Sequence, residues 1–368
     1  MNRSSLKYAW RSKSTGIPLR SGAAGRSTHP VWLRTVLAGF AAASLLVLAA
    51  VPSASAATDG TGGGEGRVDH RTYRTSTGEN DYLVYVPKGW KESDRLPLYV
   101  NLHGCGTTAQ EMIDASLVNA VADRERFLVA YPDNDGQCWR AVFHHPPSTT
   151  RGGGGDADII AGITRETMST YHADSNRVYL IGGSSGGFQA SAMGATYPDL
   201  YAAIGVIAGG GYGTDFQTCQ SLTDQNAPAY APSAVAEMGR RAHVMPFFTI
   251  GGTNDVLGEQ PAPGGCTRRA YLEWLATDNL LKPGQDGDTF RDDPASTVTG
   301  QEPGGYTWTK KVARDPKGCQ IAERWIVDGM GHNWPGDAGD PKGPSTAEAS
   351  WSFFKQFTLR GGNSTCHG

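Results

Sequence analysis

Two adjacent serines stand in a glycine-rich run with the spacing of a nucleophile turn. The run is Gly182-Gly183-Ser184-Ser185-Gly186-Gly187, which follows the strand candidate Val178–Ile181 and opens the helical pattern Ser185–Tyr197. In this G-x-S-x-G pattern a strand turns into a helix within one residue and lifts a serine out of the sheet. Ser184 is the predicted nucleophile because it alone has glycines at both −2 and +2. A phosphate-binding glycine loop is the alternative, but such a loop normally follows the first strand.

A serine nucleophile needs a general base and a carboxylate that orients this base. The histidines downstream of the serine are His243, His332 and His367. His243 directly precedes a strand candidate and His367 lies at the end of the sequence, which leaves His332, in a glycine-rich segment after the last strand. The acid lies between serine and histidine in chains with this turn. Asp255, the first carboxylate after the sixth strand, is the predicted acid, and Glu259 is the alternative.

The segment Leu102-His103-Gly104-Cys105-Gly106 has the composition of an oxyanion loop. It follows an early strand candidate, and His-Gly after such a strand is a recurrent form. We expect the oxyanion donors to be the backbone N–H groups of Cys105 and Ser185, with the N–H of Gly104 as the alternative to that of Cys105. We expect His103 to stabilise the loop rather than to transfer protons.

Three aromatic side chains lie close to these segments in the sequence. Trp139, Trp334 and Tyr212 are candidates for an apolar wall that contacts substrate. Packing in the core is the alternative for each of them. Trp334 is the stronger candidate because it stands two residues after His332.

All six cysteines of the sequence are disulfide candidates: Cys105, Cys138, Cys219, Cys266, Cys319 and Cys366. An even number in an exported chain predicts up to three disulfides. Cys138 is the preferred partner of Cys105, because both would lie on loops at the carboxyl edge of the sheet. This pairing argues against a thiol nucleophile at Cys105. No C-x-x-C or H-x-x-x-H spacing is present, so we predict no metal site.

Alternating strand and helix patterns must position these residues. The strand candidates are Tyr82–Val86, Leu98–Leu102, Phe127–Tyr131, Val178–Ile181, Ala203–Ile207, Phe247–Ile250 and Arg324–Val327. The helix candidates are Ala109–Arg124, Ile159–Tyr171, Ser185–Tyr197, Arg268–Leu280 and Thr346–Phe357. This alternation predicts an α/β fold, with a mostly parallel central sheet and helices on both faces. Residues 146–155 and 283–305 are predicted loops, the second a polar insertion.

The N-terminal segment is predicted to be an export signal. A basic region ends at Arg34, an apolar run extends from Val36 to Val51, and Ala54-Ser55-Ala56 has the small-residue pattern of a cleavage site. The run is short for a membrane span, which is the alternative. We therefore predict a signal peptide over residues 1–56, a flexible leader over 57–66 and one catalytic domain over 67–368.

Composition limits the class of partner. Charged residues make up 19% of the chain and its net charge is −3, so neither a basic face for nucleic acid nor a strongly acidic tail is expected. The predicted partner is a neutral or mildly polar small molecule, oligomer or polymer. We expect a secreted monomer that needs no cofactor and, after signal cleavage, no membrane.

The sequence resembles the polyhydroxybutyrate depolymerase family, which includes feruloyl and acetyl-xylan esterases. The resemblance is carried by residues 102–105, Cys138-Trp139, residues 177–187 and residues 327–336, where His332-x-Trp334-Pro335-Gly336 is the most specific element. It implies an α/β-hydrolase fold and a serine esterase whose nucleophile, acid and base fall on the residues deduced above. Ser185 stands where the family leads us to expect alanine, and the insertion at 283–305 is longer than expected.

The resemblance leaves several functions to compare. The leading hypothesis is hydrolysis of soluble esters, oligomers or side-chain esters of polysaccharide, and the second is depolymerisation of a polyester. A binding module that has retained the hydrolase fold and a peptidase with the same triad are the alternatives from other classes.

Overall fold

A computed structural model describes residues 66–76, 78–261, 263–282, 290–291 and 296–367. The predicted signal peptide and residues 57–65 of the predicted leader lie outside the described residues. So do residues 283–289 and 292–295 of the predicted polar insertion.

Strands and helices alternate along most of the described chain. The strands are β1 (Arg67–Thr75), β2 (Gly78–Val86), β3 (Leu98–Leu102), β4 (Leu128–Pro132), β5 (Val178–Gly183), β6 (Ala203–Ile207), β7 (Phe247–Gly252), β8 (Val298–Gln301), β9 (Thr307–Arg314), β10 (Gln320–Val327), β11 (Phe357–Arg360) and β12 (Asn363–Cys366). The helices are α1 (Ala109–Ser116), α2 (Val118–Glu125), α3 (Pro146–Thr149), α4 (Asp156–Thr170), α5 (Ser185–Thr196), α6 (Phe216–Ser221), α7 (Ala231–Met238), α8 (Cys266–Leu281) and α9 (Thr346–Phe354).

Ten of the described strands form one sheet, in the order β1-β2-β4-β3-β5-β6-β7-β10-β9-β8. The six strands from β4 to β10 in this order pair in parallel, and the pairs toward both edges are antiparallel. Strands β3 and β4 are buried along their whole length, as expected for parallel strands covered on both faces. The predicted mostly parallel α/β sheet is confirmed. Because the parallel strands share one direction, the loops after β3, β5, β7 and β10 meet at one carboxyl edge.

Two predicted helices are wrong in extent. Ala109–Arg124 is divided at Leu117, whose φ of 50° interrupts the helix and separates α1 from α2. The last helix ends at Phe354 rather than Phe357, where β11 begins and pairs with β12. The apolar periodicity of the sequence continues past Leu117 and past Phe354, so it could not predict where these helices end.

Two predicted loops contain regular structure. Residues 146–149 form the short helix α3, and β8 lies within residues 283–305. Strands β1, β8 and β9 lie at or next to an edge of the sheet, and they were missed because they carry many polar residues and lack the continuous apolar run of a central strand.

All six cysteines lie in the described part of the chain and form three disulfides. The pairs are Cys105–Cys138, Cys219–Cys266 and Cys319–Cys366. The first is the pair favoured from the sequence. In the described part of the chain, every helix is too short or too polar to cross a membrane.

Candidate active site

Ser184 lies in a sharp turn between β5 and α5. Its φ of 55° and ψ of −120° are rare for a residue with a side chain, and such strain is typical of a functional turn. The neighbouring glycines make the turn possible. A Cβ on Gly182 would lie 2.2 Å from the carbonyl oxygen of Gly186, and a Cβ on Gly186 would lie 2.5 Å from that of His103. The backbone at Gly182 and Gly186 is therefore in direct contact with neighbouring backbone around Ser184.

A chain of hydrogen bonds links the three residues predicted as the triad. The Oγ of Ser184 lies 3.0 Å from the Nε2 of His332, and the Nδ1 of His332 lies 2.9 Å from the Oδ2 of Asp255. When Nδ1 donates its proton to the buried carboxylate, Nε2 is left to accept the proton of the serine hydroxyl. The other oxygen of Asp255 accepts the backbone N–H of Leu257 at 2.9 Å, which fixes the carboxylate. The arrangement can activate Ser184 as a nucleophile.

The loops after β7 and β10 hold the acid and the base together. The N–H of Asn254 donates to the carbonyl of Met330 at 3.0 Å, and the N–H of Gly329 donates to the Oγ1 of Thr253 at 2.8 Å. Gly252 allows this approach, because a Cβ there would lie 2.1 Å from the carbonyl oxygen of Met330. Sequence reasoning missed these supporting residues. Their signal was the run of polar residues directly after β7.

Glu259, the alternative acid, binds a different partner. It is fully buried, and its Oε2 accepts the Nε of Arg324 at 3.0 Å as well as the Nη2 of that guanidinium. Burial raises the pKa of the Glu259 carboxyl, and the guanidinium of Arg324 opposes this rise. The ion pair links the end of the loop that carries Asp255 to β10. Glu259 thus supports the loop rather than contacting His332.

Three contacts stabilise the predicted oxyanion loop. Cys105 is joined to Cys138 by a disulfide, and the indole N–H of Trp139 donates to the carbonyl of His103 at 2.9 Å. His103 is buried, and its Nδ1 lies 2.8 Å from the carbonyl oxygen of Gly104. Burial lowers the pKa of His103, so its imidazole is neutral and suits a supporting role. The N–H of Ser185 belongs to the first turn of α5, where N–H groups have no acceptor within the helix.

The two predicted substrate tryptophans are both buried, with 1% of their surface exposed. The ring of Trp139 packs against His103, and its indole N–H donates to the carbonyl of His103, so its observed contacts support the oxyanion loop. Trp334 lines a small pocket beside Ser184, together with Ile207 and Ala208. Tyr212 is buried and donates to the carbonyl of Thr149 at 3.1 Å.

Asp337 holds the segment that follows His332. Its carboxylate accepts the hydroxyl of Ser345 at 2.6 Å, the N–H of Ala347 at 3.2 Å and the indole N–H of Trp334 at 3.4 Å. Burial raises the pKa of Asp337 to about 6. The sequence did not single this residue out, because a lone aspartate in a glycine-rich loop resembles an ordinary turn residue.

The two histidines set aside from the sequence have structural contacts. His243 is buried, with its ring nitrogens 2.7 Å from the carbonyl of Val244 and 2.9 Å from that of Pro198. His367 lies against the hydroxyl of Thr358 near the end of the chain. In the described part of the chain, no group of three or more His, Cys, Asp or Glu side chains could hold a metal ion.

The model of the family described as Esterase PHB depolymerase matches residues 80–236, which include Ser184 and the oxyanion loop. Feruloyl esterase B of Thermothelomyces thermophilus is 31% identical over 260 residues, which make up 68% of this chain and 82% of that protein. The chain belongs to the PHB depolymerase esterase family. Poly(3-hydroxyalkanoate) depolymerase C of Paucimonas lemoignei is 28% identical over 73% of this chain and 61% of its own length. The chain spans less than two thirds of the length of several curated relatives in this family.

A solved structure supports the fold of this family member. An acetyl xylan esterase from Aspergillus awamori superposes with a TM-score of 0.58 over 78% of this chain and 99% of its own, at 21% sequence identity. The chain therefore has the α/β-hydrolase fold that the resemblance implied.

Proposed function

We propose that the chain is a serine carboxylic-ester hydrolase that acts through an acyl-enzyme. The observation that carries the proposal is the hydrogen-bond chain Ser184–His332–Asp255, with distances of 3.0 and 2.9 Å. As the Oγ of Ser184 attacks the ester carbonyl, His332 accepts the hydroxyl proton and Asp255 stabilises the imidazolium. The N–H groups of Cys105 and Ser185 stabilise the oxyanion.

The second half of the reaction restores the serine. His332 gives its proton to the leaving alcohol as the C–O bond breaks, and the acyl group remains on Ser184. A water molecule then attacks the acyl-enzyme while His332 takes its proton, and the carboxylic acid leaves. No cofactor enters these steps.

The favoured substrate is an acetyl or feruloyl ester on a soluble sugar or polysaccharide. This choice is supported by the similarity to proteins named Feruloyl esterase B and Acetylxylan esterase A. We assign the small pocket beside Ser184, which is lined by Ile207, Ala208 and Trp334, to the acyl group.

Depolymerisation of a polyester is the second candidate. It is favoured by the similarity to the Paucimonas protein, whose name is Poly(3-hydroxyalkanoate) depolymerase C. It differs from the first candidate in requiring a hydroxyacyl chain, rather than a single small acyl group, to pass Ser184.

We further propose that the protein is exported and acts as a single-domain monomer over residues 67–368. The N-terminal basic and apolar pattern supports export, as do three disulfides, which persist in oxidising compartments. Expression of the full chain with a secretion assay tests the signal peptide. Recovery of an intact precursor in the cell pellet alone would contradict export.

An activity panel tests the proposed function. Wild type and Ser184→Ala are compared on p-nitrophenyl acetate, acetylated xylan, a feruloyl ester, a peptide and a polyhydroxybutyrate film, and a fluorophosphonate probe reports on the serine. We expect acetyl release and labelling by wild type, and neither by Ser184→Ala. Release from the film alone would establish the second candidate instead. Native protein that does not label would favour a binding module, and peptide cleavage would favour a peptidase.

A further inference from the structure

A groove of about 610 Å³ runs along one face of the sheet where β10, β9 and β8 form its edge. Most of the side chains that line it carry a hydroxyl, an amide or a carboxylate. We name it the threonine groove, after the lining residues Thr253, Thr299, Gln301, Thr307, Thr309 and Asp328.

Strand register places these polar side chains on one face. Thr309 lies opposite Ile326 of β10 and opposite Thr299 of β8, and Thr307 lies opposite Gln301. Directly opposed residues in an antiparallel pair point to the same side of the sheet, and so do residues two apart along a strand. The hydroxyl and amide groups therefore form one continuous polar surface, with Ile326 as an apolar contact within it.

The threonine groove begins at the loops of the candidate active site. Thr253 lies two residues before Asp255, and Asp328 lies four residues before His332. The Oγ1 of Thr253 donates to the Oδ1 of Asp328 at 3.0 Å, and the N–H of Asp328 donates to the carbonyl of Thr307 at 2.9 Å. The groove and the candidate active site therefore share the loops that follow β7 and β10.

The lining favours a neutral ligand rich in hydroxyl groups. Among the described residues that line the groove, Asp328 carries the only charge and none is Lys or Arg, so a phosphate or carboxylate would meet repulsion without a compensating cation. The hydroxyls of Thr299, Thr307 and Thr309 and the amide of Gln301 can each donate and accept hydrogen bonds, which matches sugar hydroxyls. A polyester offers acceptors but no donors along its chain.

We propose that the threonine groove binds the neutral polysaccharide chain whose ester is cleaved at Ser184. This inference rests on the proposed function, because it assigns the groove to the alcohol part of the same substrate. The small pocket beside Ser184 takes the acyl group, and the groove takes the sugar units that follow the esterified one. Small esters such as p-nitrophenyl acetate do not reach the groove.

The first test measures binding without catalysis. Saturation-transfer NMR is recorded with unesterified xylohexaose and cellohexaose on wild type, on Gln301→Ala/Thr307→Ala and on Thr72→Ala. Thr72 is a matched control because it lies on β1, at the opposite edge of the sheet. We expect transfer to at least one hexasaccharide from wild type and Thr72→Ala, and its loss from the double variant. If wild type transfers to neither hexasaccharide, or if the double variant still transfers, the proposal is overturned.

The second test separates the groove from the catalytic centre. Removal of two hydrogen-bonding side chains is expected to raise KM for acetylated xylo-oligosaccharides about tenfold, with kcat and the kinetics on p-nitrophenyl acetate within about twofold of wild type. An equal loss on both substrates would mean that the residues only support the catalytic loops, and unchanged KM would also overturn the proposal. If wild type hydrolyses none of these esters, the proposed function fails, and the NMR result still decides whether the groove binds sugar.

Discussion

Asp255 and Glu259 follow the same strand, yet the structure predicts opposite consequences when each is neutralised. Asp255 contacts His332, so Asp255→Asn removes the group that orients the base and stabilises its charged form. In a Ser-His-Asp triad such a change lowers kcat about 10⁴-fold while the geometry is retained. Because Asn keeps an oxygen that can accept the N–H of Leu257, we expect the free energy of unfolding to change little.

Glu259→Gln should instead destabilise the fold. Glu259 and Arg324 are both buried, and breaking a buried pair by removing one charge costs about 3–5 kcal/mol. The folded fraction should keep its triad, so kcat per folded molecule is expected to stay within about tenfold of wild type. In the double variant Glu259→Gln/Arg324→Met the remaining buried charge is removed as well. We therefore expect this variant to recover part of the lost free energy.

Urea unfolding and steady-state kinetics on p-nitrophenyl acetate measure the two effects on the same preparations. Glu79→Gln is the matched control, because Glu79 pairs with Arg74 on the exposed surface, and we expect no change in either measurement. Loss of turnover in Glu259→Gln at unchanged stability, together with near wild-type turnover in Asp255→Asn, would show that Glu259 is the acid and refute the reasoning.

Three further predictions concern the groups around the triad. Gly186→Ala places a Cβ 2.5 Å from the carbonyl of His103 and must displace the oxyanion loop, so kcat on p-nitrophenyl acetate should fall at least about 100-fold; a kcat within threefold of wild type would contradict this. Cys105→Ser/Cys138→Ser opens a link across 33 residues and should lower the free energy of unfolding in urea by about 3–4 kcal/mol, and an unchanged midpoint would argue against it. Burial raises the pKa of Asp337 from 3.8 to about 6, so the folded state binds the proton more tightly. The stability of wild type relative to Asp337→Asn should therefore fall by about 3 kcal/mol as pH rises from about 3 to 7; parallel stability curves would exclude this linkage.

The sequence by itself determined the features that depend on local order along the chain. The strand, the G-x-S-x-G run and the helix that follows it indicate Ser184, because a strand-to-helix turn needs glycines at fixed spacings. His332 followed from its place after the last parallel strand. The parallel sheet was also predictable, because its central strands are short apolar runs that alternate with helical patterns.

The edges of the fold were less predictable. Strands β8 and β9 carry polar residues on their exposed face, and Leu117 interrupts a helix by adopting a positive φ that its side chain does not favour. Neither feature changes the apolar periodicity that a sequence analysis uses. The threonine groove could not be predicted for the same reason, since it exists only when β8, β9 and β10 lie side by side.

Only the tertiary structure showed which side chains contact the proposed catalytic residues and which stabilise the loops around them. Asp255 and Glu259 are both carboxylates after β7, and the partner that distinguishes Glu259 is Arg324, which lies 65 residues away on β10. Trp139 stands beside a cysteine of the active-site edge in the sequence, yet its indole N–H is used by the backbone of His103. Hydrogen bonds and ion pairs between distant segments depend on which strands become neighbours. Local sequence does not specify that choice, because the apolar runs that form strands are similar to one another.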